Sequence, residues 1–201
     1  MSWAFVKGTY PPISFRELFG NDNPVEVEIG CGKGSFLVAR AEENPGINFI
    51  GIDRIAKYMK RRKMRVEREE ARNIQFIQAE SRKFLEEALR PLSVSVFHMY
   101  FPDPWPKRRH RARRTFSEDF LKLIHSRLSP GGLFEVATDD LDYFTEMKKG
   151  IAATRELWDN VRETVNERIF GGTMKTNYEI KWAAEGRALY YAELAKGTKG
   201  S

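Results

Sequence analysis

The chain has 201 residues, 41% of them hydrophobic and 31% charged, with a mean hydropathy of -0.53. One core fits that length, and no apolar run approaches the roughly 18 residues a membrane helix needs. Its 34 basic and 28 acidic side chains leave a net charge of +6, and residues 107–114 alone carry six Lys and Arg.

One domain over 1–201 is expected, with a short amino-terminal segment at 1–24 and a disordered tail at 196–201. Met1 to Tyr10 lacks the apolar centre of a signal peptide, so nothing points to export. A single cysteine, Cys31, excludes an intrachain disulfide and fits a reducing cytoplasm. His98, His110 and His125 share no ligand spacing with it, so no metal site is expected.

Along the chain, short β-rich runs alternate with helical ones. Val25–Ile29 is apolar at 25, 27 and 29 and ends in glycines. Ser35–Glu43 reads as helix, and Pro45-Gly46 punctuates it. Asn48–Ile52 reads as strand, then Ile55 to Ala71 as a long basic helix. Ile74–Gln78 is a third strand, and Arg82–Leu89 a helix stopped by Pro91. Val94–Tyr100 is a fourth strand. Ser117 caps a helix to Leu128, with Glu118 and Asp119 suiting its positive end. Ser129-Pro130-Gly131-Gly132 reads as a break before a fifth strand, Leu133–Thr138. A helix follows from Asp140 to about Trp158, with two later strands near 161–170 and 188–194. This alternation predicts an α/β fold with a mainly parallel, seven-stranded sheet covered by helices on both faces. Ligands of such sheets bind beyond the carboxyl ends of the strands, where strand order switches. The glycine turn, Asp53, residues 101–107 and Thr138-Asp139 all follow strand ends.

Glu28, Gly30, Gly32 and Gly34 form E-x-G-x-G-x-G, a pattern that a structural tight turn would also produce. A dinucleotide fingerprint would want a smaller residue at Ser35, and Glu28 sits badly beside a pyrophosphate. S-adenosylmethionine has no phosphate and carries a sulfonium and an ammonium, which an acid favours. Asp53 closes the second strand, where a carboxylate accepts from ribose hydroxyls. Glu80 follows the third strand and suits either an adenine amino group or a place at a helix cap. Cys31, inside the turn, reads as a small packed residue.

Phe101-Pro102-Asp103-Pro104-Trp105-Pro106-Lys107 holds an acid and a tryptophan between three prolines. Each proline fixes its own φ and favours an extended residue before it, which predicts a stiff, extended loop. A rigid carboxylate beside an aromatic face suits a planar heterocycle with donors on its edge. The cations behind it suit a polyphosphate backbone. The basic run between Lys57 and Arg68 suits either RNA or solvent. Asp139 reads as the cap of the following helix, and Thr176-Asn177-Tyr178-Glu179 as a cluster of polar and aromatic groups or a capped helix start.

With these motifs in view, the chain resembles the bacterial tRNA (guanine-N7-)-methyltransferases, a class I, Rossmann-like, S-adenosylmethionine-dependent family. Phe19-Gly20-Asn21, E-I-G-x-G-K-G, Gly51-Ile52-Asp53, FPDPWPK with its arginine run, Ala137-Thr138-Asp139 and Thr176-Asn177-Tyr178-Glu179 carry the resemblance. It implies methyl transfer to N7 of a guanosine at position 46 of the tRNA variable loop, in the cytoplasm, with tRNA as partner and no membrane. It implies cofactor contacts from Glu28, Asp53, Glu80 and Asp103, with Asp103 also the catalytic residue. Lys107, Asp139, Thr176, Asn177, Tyr178 and Glu179 would hold the guanosine. Arg109, His110, Arg111, Arg113 and Arg114 would meet RNA. Position 80 is glutamate where members often carry aspartate. The rivals are an amino-methyltransferase for adenine or cytosine, whose Asp/Asn-Pro-Pro-aromatic loop has one residue more before the ring, and an RNA-binding module that no longer catalyses.

Overall fold

The computed structural model describes residues 9–58, 64, 66, 71–169 and 175–198. Seven strands form one sheet: β1 (Val25–Ile29), β2 (Asn48–Asp53), β3 (Ile74–Gln78), β4 (Val94–Tyr100), β5 (Leu128–Thr138), β6 (Asn160–Val165) and β7 (Tyr190–Ala195). Their order is β3-β2-β1-β4-β5-β7-β6, and β7 runs antiparallel to both of its neighbours. The order reverses between β1 and β4, so the loops leaving those two strands flank the switch point. The described helices are α1 (Phe15–Phe19), α2 (Ser35–Glu43), α3 (Ser81–Glu87), α4 (Glu118–Arg127), α5 (Leu141–Ala153) and α6 (Asn177–Ala184). None is long and apolar enough to cross a membrane.

Local chemistry sets the helix starts. Ser117 Oγ accepts from Phe120 N, as expected from sequence, and holds the first turn of α4. Asp140, not Asp139, caps α5, its Oδ1 accepting from Tyr143 N at 2.7 Å. On one face of the sheet, Val25, Val27, Ile29, Phe97 and Phe134 pack against Phe84, Phe120, Ile124 and Tyr143 from α3, α4 and α5. On the other, Leu37, Val38 and Ala41 of α2 cover Phe49 and Ile74.

Two expectations change. The expected break at Ser129–Gly132 lies inside β5, which begins directly after α4. Pairing shifts register between Val94 and Val96 of β4, and Gly131 takes φ 76° there. A positive-φ glycine lets the strand absorb extra residues as a bulge without stopping. Second, Lys196 and Gly197 are not a loose tail. Lys196 Nζ donates to the carbonyls of His125 and Leu128, and Gly131 N donates to Gly197 O. Most of the expected basic helix from Ile55 to Ala71 lies outside the described residues.

Alternation in β1 and β4 conceals a polar layer on the α2 face. Glu26, His98 and Glu135 are all buried. His98 Nε2 lies 2.9 Å from Glu26 Oε2, and Nδ1 lies 2.8 Å from Glu135 Oε2. Tyr100 donates to Glu135 Oε2 at 2.6 Å, and Arg40 of α2 forks onto Glu26 at 2.6 and 3.0 Å. Burial alone would push the imidazole down, but the two carboxylates outweigh it and hold His98 up at about 9. Burial pushes Glu26 up, while hydrogen bonds and charge from His98 and Arg40 bring it down to about 2. The layer is therefore ionised and internally paired at neutral pH.

Candidate active site

The turn after β1 is built from left-handed backbone: φ is 78° at Gly30, 51° at Gly32 and 71° at Gly34. Gly34 is required twice, because a Cβ there would also lie 2.4 Å from Phe76 Cζ. Gly30 N and Cys31 N donate to Ile52 O, which ties the turn to β2. Asp53 Oδ2 accepts from Gly32 N and Oδ1 from Ile55 N, both at 2.7 Å. The carboxylate expected to meet a ribose thus also fixes the turn beside it. Glu28 is buried near the end of β1, and Cys31 is buried within the turn. Glu80 is the N-cap of α3, accepting from Arg82 N and Lys83 N at 3.1 and 2.8 Å.

Past β4, the proline loop is stiff but not extended throughout. Phe101 and Trp105, each directly before a proline, have φ of 52° and 44°. That conformation strains any residue with a Cβ, and it persists only where surroundings enforce it. The enforcing groups are visible. Phe101 N donates to Ala137 O at 2.7 Å, and Arg114 Nε donates to Pro104 O at 2.8 Å. Arg114 also bonds Asp142 and Glu146 of α5 and lies 4.7 Å above the Tyr143 ring. Arg114 is only 7% exposed, so it differs from the rest of the cationic run and acts as the brace of the loop. Asp103 is exposed on that braced loop.

Residues Arg108–Arg113 form a 3₁₀ turn in which Arg109, Arg111 and Arg113 are exposed and His110 is half-buried. Arg113 lies 4.9 Å over Trp105, whose ring meets His110 edge-on, and Arg111 reaches Asp142. Lys107 is exposed at the head of this turn, and its carbonyl accepts from His110 N.

The Thr176–Glu179 segment is a capping box at the start of α6. Thr176 Oγ1 accepts from Glu179 N, and Glu179 Oε2 accepts from Thr176 N at 2.7 Å. Glu179 is 1% exposed and also bonds Arg168 and the Tyr191 hydroxyl. Of this segment, Asn177 and Tyr178 face outward. Tyr178 lies 5.9 Å from Phe101, which brings α6 to the proline loop. Asp139 is paired with Arg187 at 2.8 Å.

Sequence reasoning passed over Arg168, Tyr191, Trp182 and Arg187. Arg168 rests 5.3 Å from the Tyr100 ring and fastens the α6 start to the end of β4. Nothing in the sequence signalled it, because its partners lie on other elements. The structure thus gathers the proline loop, Asp139 and α6 on the rim that also carries the glycine turn and Asp53.

The family model described as "Putative methyltransferase" matches residues 22–192. A tRNA (guanine-N(7)-)-methyltransferase from Geobacter metallireducens is 34% identical over 190 residues, 94% of this chain and 90% of that protein. One from Rubrobacter xylanophilus is 35% identical over 92% of this chain and 82% of its own length, and one from Bacillus subtilis 33% over 90% and 84%. Among solved structures, the 16S rRNA methyltransferase KamB is similar with a TM-score of 0.62 at 16% identity, covering 90% of this chain and 92% of that one. The tRNA (m1A58) methyltransferase TrmI from Aquifex aeolicus gives 0.57 at 11%, covering 94% and 72%, and both likenesses concern the fold alone. The motifs, the sheet order and the close relatives agree: the chain belongs to the tRNA (guanine-N7-)-methyltransferase family.

Proposed function

We propose that this chain methylates N7 of a guanosine in tRNA, at position 46 of the variable loop, giving 7-methylguanosine. The observation that carries the reading is the strained proline loop at the switch point, which presents Asp103 beside exposed arginines. S-adenosylmethionine is the cofactor, and it supplies an electrophilic methyl on a sulfonium. The residues present fit it. The glycine turn offers backbone without side chains, Glu28 offers a buried carboxylate suited to a cationic ligand, and Asp53 and Glu80 offer acceptors suited to ribose and adenine.

Guanine N7 has an in-plane lone pair and attacks without first losing a proton. The protein's task is then alignment, with a fixed carboxylate to offset the positive charge gained by the ring. Asp103 takes that role, and its rigid loop keeps the carboxylate from wandering. Lys107, Asp139, Asn177 and Tyr178 hold the nucleoside, while Thr176 and Glu179 shape the segment that presents them. Arg109, His110, Arg111 and Arg113 meet the RNA backbone, and Arg114 sets the loop from behind. Such a substrate places the work in the cytoplasm.

Labelled S-adenosylmethionine and unmodified tRNA, followed by nucleoside analysis, test the reading. 7-Methylguanosine is expected; N6-methyladenosine or N4-methylcytidine would replace it with the amino-methyltransferase reading. For the cationic turn, each phosphate contact contributes about 0.7–0.9 to the slope of log affinity against log salt. Arg109→Ala with Arg111→Ala should therefore reduce that slope by up to roughly 1.5 in filter binding, with cofactor affinity unchanged. An unaltered slope would remove this turn from the RNA surface.

A further inference from the structure

Trp182 of α6 is half-buried against the cluster of Phe36, Tyr100, Ala137, Leu189 and Tyr191, and its ring meets Tyr178 at 6.2 Å. The guanidinium carbon of Arg187 lies 3.9 Å from its ring centroid. The same guanidinium donates through Nη1 to Asp139 Oδ2 at 2.8 Å, with Glu185 Oε2 3.3 Å from Nε. Lys181 Nζ is a second cation on that indole, at 4.1 Å. A planar group is therefore held by two contacts at once, a π face beneath and a carboxylate at its edge. Arginine suits both, because its flat fork stacks on rings and matches a carboxylate. Guanine offers the same pair of features: a flat face, and an edge where N1–H and the 2-amino group donate side by side. Adenine presents an acceptor, N1, at that edge and would face Asp139 with like polarity.

We propose that Trp182 and Asp139 form a guanine-recognition site that Arg187 occupies in the free protein, and that the target guanosine takes its place. This rests on the function proposed above and adds to it the stacking surface, the selecting edge and the side chain that keeps both covered. Arg187 is a competitor here, so its removal raises apparent affinity by freeing the competent state. A residue that merely bound phosphate would act in the opposite direction.

Direct titration calorimetry of the whole chain with guanosine 5′-monophosphate, and with adenosine 5′-monophosphate as the phosphate-matched control, reads this out. Arg187→Ala should tighten guanosine monophosphate at least about threefold and leave adenosine monophosphate unchanged. Trp182→Leu should weaken guanosine monophosphate by about fivefold or more, whereas Trp182→Phe keeps a π face and stays within about threefold of the parent. Three results would each overturn the site: guanosine monophosphate that Arg187→Ala leaves unchanged or weakens, equal response of both nucleotides, or no guanine-selective binding in any protein. Nucleoside analysis of tRNA methylated by the parent chain separates the failures. If 7-methylguanosine forms while the titrations fail, this site alone is wrong; if it does not form, the wider functional reading falls independently of the calorimetry.

Discussion

Asp103→Ala should lower single-turnover methyl transfer by about 10²–10³-fold or more while tRNA still binds. The carboxylate is the only acid in residues 101–107, and the strain at Phe101 and Trp105 serves to aim whatever that loop carries. Because N7 needs no deprotonation, the loss reflects charge left uncompensated in the transition state and a misplaced base. Binding survives because Arg109, Arg111 and Arg113 lie outside the substitution on their own 3₁₀ turn. Rapid-quench measurement with labelled cofactor, alongside filter binding, gives both quantities. A rate within tenfold of the parent would strip Asp103 of its catalytic role. Asp103→Asn is the informative companion, since it keeps shape and removes charge.

His98→Ala should destabilise the fold by about 3–5 kcal/mol, because it leaves Glu26 and Glu135 buried without the cation between them. The pH dependence has a definite sign. His98 is raised from 6.5 to about 9 on folding. Its contribution is thus complete below about pH 6.5 and is lost as pH rises through 9. Glu26, lowered from 4.5 to about 2, contributes above about 4.5 and loses that contribution as pH falls toward 2. Thermal unfolding of the parent should fall from pH 6.5 to 9, and His98→Ala should flatten that limb. Should His98→Ala fail to fold, Glu135→Gln shortens the same limb with a smaller loss. A parent curve that is level across this range would show that His98 is not the buried cation.

Signals confined to a few neighbouring residues were legible in the sequence. α2, β3 and β4 lie where their periodicity puts them, and Ser117 caps α4. The shared rim was legible because the motifs follow strand ends, and alternating strands and helices put those ends on one edge of a parallel sheet; the strand order itself was not. The buried polar layer was not legible, because its partners are 37 and 72 residues apart and each strand alone reads as half-exposed alternation. Asp139 was the cap expected from sequence, and the turn geometry gives that place to Asp140 instead. Arg114 was indistinguishable from its neighbours in a run of cations until α5 supplied two acids facing it. The pre-proline residues went the other way, since local preference predicted extension and tertiary bonds to Ala137 and Arg114 overrode it.

The sheet order also sets a sequence of assembly during synthesis. β6 joins the sheet only through β7, and β7 is the last of the described strands in chain order. Until it arrives, β5 is an open edge, β6 has nowhere to dock, and Glu179 lacks the Tyr191 hydroxyl that helps seat α6. β1, which leads into the glycine turn, and β2, which ends in Asp53, precede β7 in the chain and pair with each other and with β4 and β3, needing neither β6 nor β7. The seating of the nucleoside side of the rim therefore depends on a strand that follows all of the cofactor residues in the chain, and the cofactor side does not.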